Sequence, residues 1–179
     1  ANVFSRGVTT GVALGDQNFY EEVSSRENIH FASVGMTHSL STLTQMSRFV
    51  SINSVIEVDL LGQANCEHID GRQISGQGGM VDFMQGSRVS DGGRAILVLP
   101  ATTSSGCVSR IVPSLVAGVP VSVARSDTDM IVTEYGIADL CEASVDQRAE
   151  RLIAIAAPKF RNLLANAWYN TRCQTVGYK

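Results

Sequence analysis

No two cysteines in this sequence lie close enough to frame a metal. Cys66, Cys107, Cys141 and Cys173 are far apart and form no C-x-x-C pair. That spacing excludes a zinc-finger framework, and a chain of 179 residues buries enough core to need no disulfide scaffold. Reduced thiols and a cytoplasmic location are therefore expected. The histidines, His30, His38 and His68, show no H-E-x-x-H or related spacing, so no metal site is expected either. The longest apolar runs, "AILVL" and "LIAIAA", are far too short to cross a bilayer, and no secretory signal is visible, so no membrane partner is expected. No Gly-Lys-Ser/Thr occurs, which removes the Walker A loop. A formal charge of −3 lacks the basic excess of a general nucleic-acid binder. Local arginines could still meet a phosphate-bearing small ligand. The chain opens at "ANVFSRG" without an initiator Met, which suggests a fragment or a processed product.

What is present describes an ordinary folded interior, because 44% of residues are apolar and only 17% are charged. Short apolar runs alternate with amphipathic ones, the pattern of a single α/β domain. "VTTGVALG" predicts a strand ended by Gly15, with Asp16 capping a helix over "QNFYEEVSSR". "IHFASV" predicts a second strand and "LSTLTQMSRF" a short helix. "FVSINSVIEVDLLGQ" alternates with period two and predicts one strand, with Ile52, Ser54, Ile56, Val58 and Leu60 on its apolar side. Ser51, Asn53, Glu57 and Asp59 share the polar side, which would face water or a site. "AILVLP", "MIVTEYG" and "PVSVAR" predict buried strands. Ser144 and Gln147 match a capping box, so a helix starts there, stops at Pro158, and another follows over "KFRNLLANAWYN".

The stretch "SGQGGMVDF", residues 75 to 83, concentrates Gly76, Gly78 and Gly79 before a helix-compatible run. Glycine lets a ligand approach backbone N–H groups with no Cβ in the way, and N–H groups at a helix start can hold an anion or a developing oxyanion. The dinucleotide pattern G-x-G-x-x-G fails, because Val81 holds its last position. On spacing alone a plain turn and an oxyanion loop both stand. Glu57 and Asp59 could do acid–base work together, or could be tied to arginines or backbone amides. Asn53 shares their parity and could bond a ligand carbonyl or merely end a strand. Cys66 and His68 are spaced for a Cys–His pair on a strand, although a buried small Cys is the commoner outcome. Arg88, Arg94, Arg110 and Arg125 fall near loop or strand ends, where each could meet a phosphate or stay solvated.

Taken in order, "SINSVIEVDLLGQANCE", "SGQGGMVDF", "GGRAILVLPATTSSGCVSRIVPSL", "IVTEYGIADL" and "QRAERLIAIAAPKFR" resemble the C-terminal half of the acetyl-CoA hydrolase/transferase family. This is the family I CoA-transferase branch that includes 4-hydroxybutyrate, butyrate and acetate CoA-transferases. The resemblance implies an α/β lobe of the NagB/RpiA/CoA-transferase-like type, with a mostly parallel sheet flanked by helices. It implies that residues 1–179 form the C-terminal lobe and that an N-terminal lobe of the same enzyme, absent from this chain, is a partner. The implied reaction moves CoA between an acyl-CoA and a small carboxylate through a glutamyl-CoA thioester. A hydrolase using water as acceptor, and a non-catalytic CoA-binding module, are the alternatives.

The same resemblance puts Gly76, Gln77, Gly78 and Gly79 at the thioester, where backbone N–H groups bind the carbonyl oxygen. Asn53 and His38 join them as substrate-binding candidates, His38 standing in "MTHSL" where many members carry an Asn-containing loop. No catalytic residue is assigned within the chain. The family's nucleophilic glutamate belongs to an "H-[ST]-E" motif that would precede Ala1, and none of Glu57, Glu67 or Glu134 matches it. No cofactor beyond CoA as substrate is implied, and a homo-oligomer is expected.

Overall fold

A computed structural model describes residues 7–176. The chain begins with β1 (Val8–Thr10), α1 (Gln17–Ser25) and β2 (Ile29–Phe31), then two single-turn helices, α2 (Val34–Thr37) and α3 (Leu40–Leu43). β3 (Val50–Ser54), β4 (Glu57–Asp59), β5 (Ala64–Asn65), β6 (His68–Ile69) and β7 (Arg72–Gln73) follow, leading into α4 (Met80–Val89). The rest comprises β8 (Arg94–Val98), β9 (Ile111–Val112), β10 (Met130–Thr133), β11 (Gly136–Asp139), α5 (Val145–Ala154) and α6 (Pro158–Val176).

The principal sheet has the order β11-β10-β8-β3, in which β3, β8 and β10 are parallel and β11 is an antiparallel edge. A smaller sheet, β5-β4-β9, stands beside it. Val58, Leu60, Met84, Leu97, Ile131 and Leu152 form the core between the principal sheet, α4, α5 and the small sheet. The α/β class and the mostly parallel sheet are as expected.

Local signals explain the helix starts. Asp16 accepts from the Phe19 backbone N–H at 2.9 Å and caps α1 as its position predicts. At α5 both arms of the capping box form, with Gln147 N–H donating to Ser144 Oγ at 3.2 Å and Ser144 N–H to Gln147 Oε1 at 2.9 Å. Such a cap contributes about 1 kcal/mol. Pro158 does not merely stop α5; it opens α6, where its missing N–H costs nothing.

Several expected elements differ. The stretch over residues 49–63 is two strands, because the chain changes sheets at Val55 and Ile56. Val55 N–H donates to Val98 O at 3.1 Å, whereas Ile56 N–H donates to Asn65 O at 2.9 Å. Parity therefore does not carry through, and within β3 the expected faces are reversed. Ser51 is buried and Ile52 exposed, since Ser51 pairs beside buried Ala95. "PVSVAR" makes only an isolated bridge from Val123 to Ala64. "MIVTEYG" folds into the β10–β11 hairpin, with Gly136 at φ 142°. The first strand ends at Thr10 rather than Gly15, the second at Phe31, because β1 and β2 pair only with each other. The expected helix over "LSTLTQMSRF" is one turn, preceded by α2, which no pattern announced.

Buried polar side chains fix the turns. Asp59, 1% exposed, accepts from Leu61 N–H at 3.0 Å, Gln63 N–H at 2.9 Å and Gln63 Nε2 at 2.7 Å. Arg148 donates to the carbonyls of Leu61, Leu140 and Arg125, tying α5 to three loops. Its burial, with Arg125 nearby, lowers its pKa from the ordinary value. Asp59→Ala would orphan two backbone N–H groups and one amide. We expect a loss of roughly 3 kcal/mol in urea unfolding; an unchanged midpoint would contradict this role.

Candidate functional site

In a unit where a helix precedes its strand, the helix runs back along the sheet. α4 packs on β8 and β3 in this way, with Met84 and Gly86 buried. Its N-terminus therefore stands at the carboxyl ends of β3, β8 and β10, the edge at which open α/β sheets bind ligands. Gly79 is the N-cap residue of α4 and has no side chain to satisfy the first N–H groups. Gly78 adopts φ 57°, which glycine takes without strain. Residues 75–78 are exposed. The arrangement is an uncapped helix N-terminus, partially positive, whose N–H groups a ligand can reach.

The loop is tethered from below. Gln77 Nε2 donates to the Ser122 carbonyl oxygen. Ser122 Oγ, in turn, donates to Glu67 Oε2 at 2.7 Å and accepts from Cys66 N–H at 3.1 Å. The Glu67 carbonyl accepts from Ile74 N–H at 2.7 Å, just before the glycines. Asn65, fully buried, accepts from the N–H groups of Glu67 and His68 and donates to Glu57 Oε1 at 3.0 Å and His68 O at 2.8 Å. Ser122 and Asn65 carried no sequence signal, because their partners lie across turns and up to 56 residues away.

His38 meets this loop. A Cβ at Gly79 would lie 2.0 Å from His38 Nε2 and 2.1 Å from its Cδ2, so the imidazole occupies the space the glycine leaves. The ring is oriented by Thr37 Oγ1, 2.8 Å from Nδ1, and packs against Phe83 with centroids 4.6 Å apart. Asn53 lies at the carboxyl end of β3 on the side that α4 covers, paired in register with buried Leu97. Its Nδ2 donates to Ser51 Oγ at 2.8 Å.

A shallow depression of about 350 Å³ runs along the same strand ends, lined by Ser54, Val98, Pro100 and Glu134 among others. Glu134 Oε2 accepts from Ala101 N–H at 2.8 Å. It is a carboxylate at this edge that the sequence reading did not select; its position directly after a strand was the available sign.

The other candidates separate from the loop. Glu57 holds Asn65, and Asp59 caps a turn, so both carboxylates are bound to amides. Cys66 packs on the core, while His68 lines a different cavity with Glu57 and Arg110. Arg88 pairs with Asp127 and Asp129 at 3.3 and 3.5 Å, Arg94 donates to Gly93 O, and Arg110 donates to Ile56 O. Arg125 lines a third depression with Arg88, Arg148 and Cys141. All four cysteines are free thiols. Among the described residues no group of three potential ligands could hold a metal, and no helix is long and apolar enough to cross a membrane.

Comparison with known proteins supplies the context. Residues 15–168 match the model of the acetyl-CoA hydrolase/transferase C-terminal domain. The chain belongs to that family. It is 42% identical over 153 residues to the 4-hydroxybutyrate coenzyme A transferase of Clostridium kluyveri, covering 86% of this chain and 36% of that enzyme. RipA from Yersinia pestis superimposes with a TM-score of 0.85 at 37% identity, over 93% of this chain and 37% of RipA. The 4-hydroxybutyrate CoA-transferase of Porphyromonas gingivalis superimposes with a TM-score of 0.77 at 36% identity, over 92% of this chain and 38% of that one. The chain thus spans little more than a third of the length of these relatives.

Two outcomes check the geometry. Gly79→Ala should destabilise the fold by about 1–3 kcal/mol through overpacking against His38. His38→Ala in the same chain should recover most of that loss, whereas additive effects in the double-mutant cycle would separate the two residues. At Cys141, desolvation by its surroundings and the Asp129 and Asp139 carboxylates push the thiol up to about 11. Only the thiolate alkylates readily, so iodoacetamide at pH 8 should modify exposed Cys107 well before Cys141; equal rates would contradict the shift.

Proposed function

We propose that this chain is the C-terminal lobe of a cytoplasmic CoA-transferase that moves CoA between an acyl-CoA and a small carboxylate. The observation that carries the proposal is the glycine-opened N-terminus of α4 at the carboxyl edge of the parallel strands. It is supported by the relatives, two of which are named as 4-hydroxybutyrate CoA-transferases.

In this reading a glutamate from the N-terminal lobe attacks the acyl-CoA carbonyl, forming an acyl-glutamyl anhydride and releasing CoA thiolate. The thiolate attacks the glutamyl carbonyl, expels the carboxylate and leaves glutamyl-CoA, which an acceptor carboxylate converts in the reverse sense. Each addition places negative charge on a carbonyl oxygen. N–H groups of residues 76–79, aided by the dipole of α4, stabilise that charge, and their tether to Ser122 sets them in position before substrate arrives. His38 and Asn53 flank the acyl carbonyl.

Glu57, Glu67 and Glu134 accept from Asn65, Ser122 and the Ala101 N–H, and none stands in the family's nucleophile motif, so none serves as the nucleophile. Without one, only binding and oxyanion stabilisation remain. The 179-residue chain alone should therefore show no CoA exchange and no borohydride-trapped adduct by mass spectrometry. Replacing the matching span of the C. kluyveri enzyme with residues 15–168 restores the upstream lobe. That chimera should exchange CoA between acetyl-CoA and a carboxylate, and Gly79→Val within it should lower kcat by about 10²-fold. Unchanged kcat in the folded variant would remove the loop from the site, and an adduct on the short chain would relocate the nucleophile.

A further inference from the structure

Among the described residues, three buried side-chain atoms lack a hydrogen-bond partner: His68 Nδ1, Arg110 Nε and Thr128 Oγ1. His68 and Arg110 line the cavity that Glu57 also lines. Thr128, 4% exposed, stands elsewhere, in a depression of about 420 Å³ at the amino end of β10. A buried hydroxyl left unpaired costs stability, so its presence in a folded protein calls for a reason.

The charges around Thr128 supply one. Arg88, Arg125 and Arg148 line the same depression, against the carboxylates of Asp129 and Glu142. Asp129 is already committed, since Oδ2 accepts from Ala95 N–H at 2.8 Å and Oδ1 lies 3.5 Å from Arg88 Nε. Asp127 meets the same arginine at 3.3 Å, so Arg88 is neutralised twice over. Arg148 directs its N–H groups to the carbonyls of Leu61, Leu140 and Arg125. Among the described residues no ion pair joins Arg125 or Arg148 to a carboxylate. Burial, and after it the charge of Arg125, lowers the Arg148 pKa from its ordinary value, as two cations held together do. Cys141 adds no countercharge. Desolvation and the Asp129 and Asp139 carboxylates push its thiol up to about 11, so it stays protonated at neutral pH. Glu142 is the one carboxylate left at the rim. It holds φ 52°, a left-handed conformation rare outside glycine, and strain of that kind gathers at ligand clamps.

We propose that this depression binds a phosphate group, free or carried on a small organic body, between Arg125, Arg148 and the hydroxyls of Ser126 and Thr128. Guanidinium forks match phosphate oxygens and form charge-assisted hydrogen bonds with them. Four donor side chains suit the three or four oxygens of a phosphate better than the two of a carboxylate. Leu140 and Ala143 complete the wall and leave apolar surface for an organic body. The site needs no part of the CoA-transfer reading. It lies by Arg88 in the last turn of α4, whereas the glycine loop opens the other end of that helix.

Titrating the isotope-labelled 179-residue chain with inorganic phosphate and with glycerol 3-phosphate, at ionic strength fixed with sodium chloride, tests this. Saturable amide shifts at residues 125–128 and 141–143 with either probe support the proposal, and the tighter probe shows whether the phosphate arrives free or on a body. Arg125→Ala should weaken binding about tenfold or more, the worth of a charge-assisted hydrogen bond. Thr128→Val should weaken it as well. Glu142→Gln should tighten it, because the rim carboxylate opposes the phosphate. Arg148 is left in place, since it ties α5 to three loops. No shift in either segment overturns the proposal. So does binding indifferent to Arg125→Ala and Glu142→Gln in variants that melt with the parent chain, which is an adventitious ion only. Shifts confined to residues 76–79 also overturn it, while leaving the CoA-transfer reading in force.

Discussion

Gly93 lets α4 return along β8. A Cβ there would stand 2.0 Å from the Ser87 carbonyl oxygen and 2.8 Å from that of Phe49, so no larger residue fits between helix and strand. Gly86 makes a similar close approach to Leu43, and Gly92, at φ 66°, turns the chain. With the helix held this close, its N-terminus must lie at the carboxyl edge of the sheet, and the glycines at 76, 78 and 79 come with it. The electrostatic character of the candidate site follows from that packing and needs no charged side chain at the loop itself.

Helix position alone would leave the loop free to wander. The tether through Gln77, Ser122 and Glu67 removes that freedom, and Asn65 anchors the tether in a buried position with both ends of its amide bonded. Preorganised donors stabilise developing charge better than donors that must reorient during reaction. The buried polar groups next to the loop thus have a consequence for chemistry as well as for stability. Glu57 illustrates the point: a carboxylate two residues from Asp59 invites a catalytic reading, yet its contact with Asn65 makes it part of the support.

Much of this was legible in the sequence, for identifiable reasons. Caps are local, so Asp16 and the Ser144–Gln147 box locate helix starts within four residues of chain. The glycine run before "MVDF" announced an exposed helix N-terminus for the same reason. Period-two alternation failed at residues 49–63 because it cannot register a change of sheet: Val55 bonds to one sheet and Ile56 to the other. It also misjudged which side of β3 is covered, since Ser51 sits beside buried Ala95 and Ile52 faces outward. The packing of His38 on Gly79 joins residues 41 apart in sequence, and no local pattern carries such information.

The CoA-transfer reading requires the backbone at the start of α4 to receive the acyl thioester. Titrating acetyl-CoA into isotope-labelled protein and following backbone amide shifts tests it directly. The largest changes should fall on residues 76–79, with smaller ones at His38 and Asn53. Changes confined to the cavity of Glu57, His68 and Arg110, with the amides of 76–79 unmoved, would contradict it.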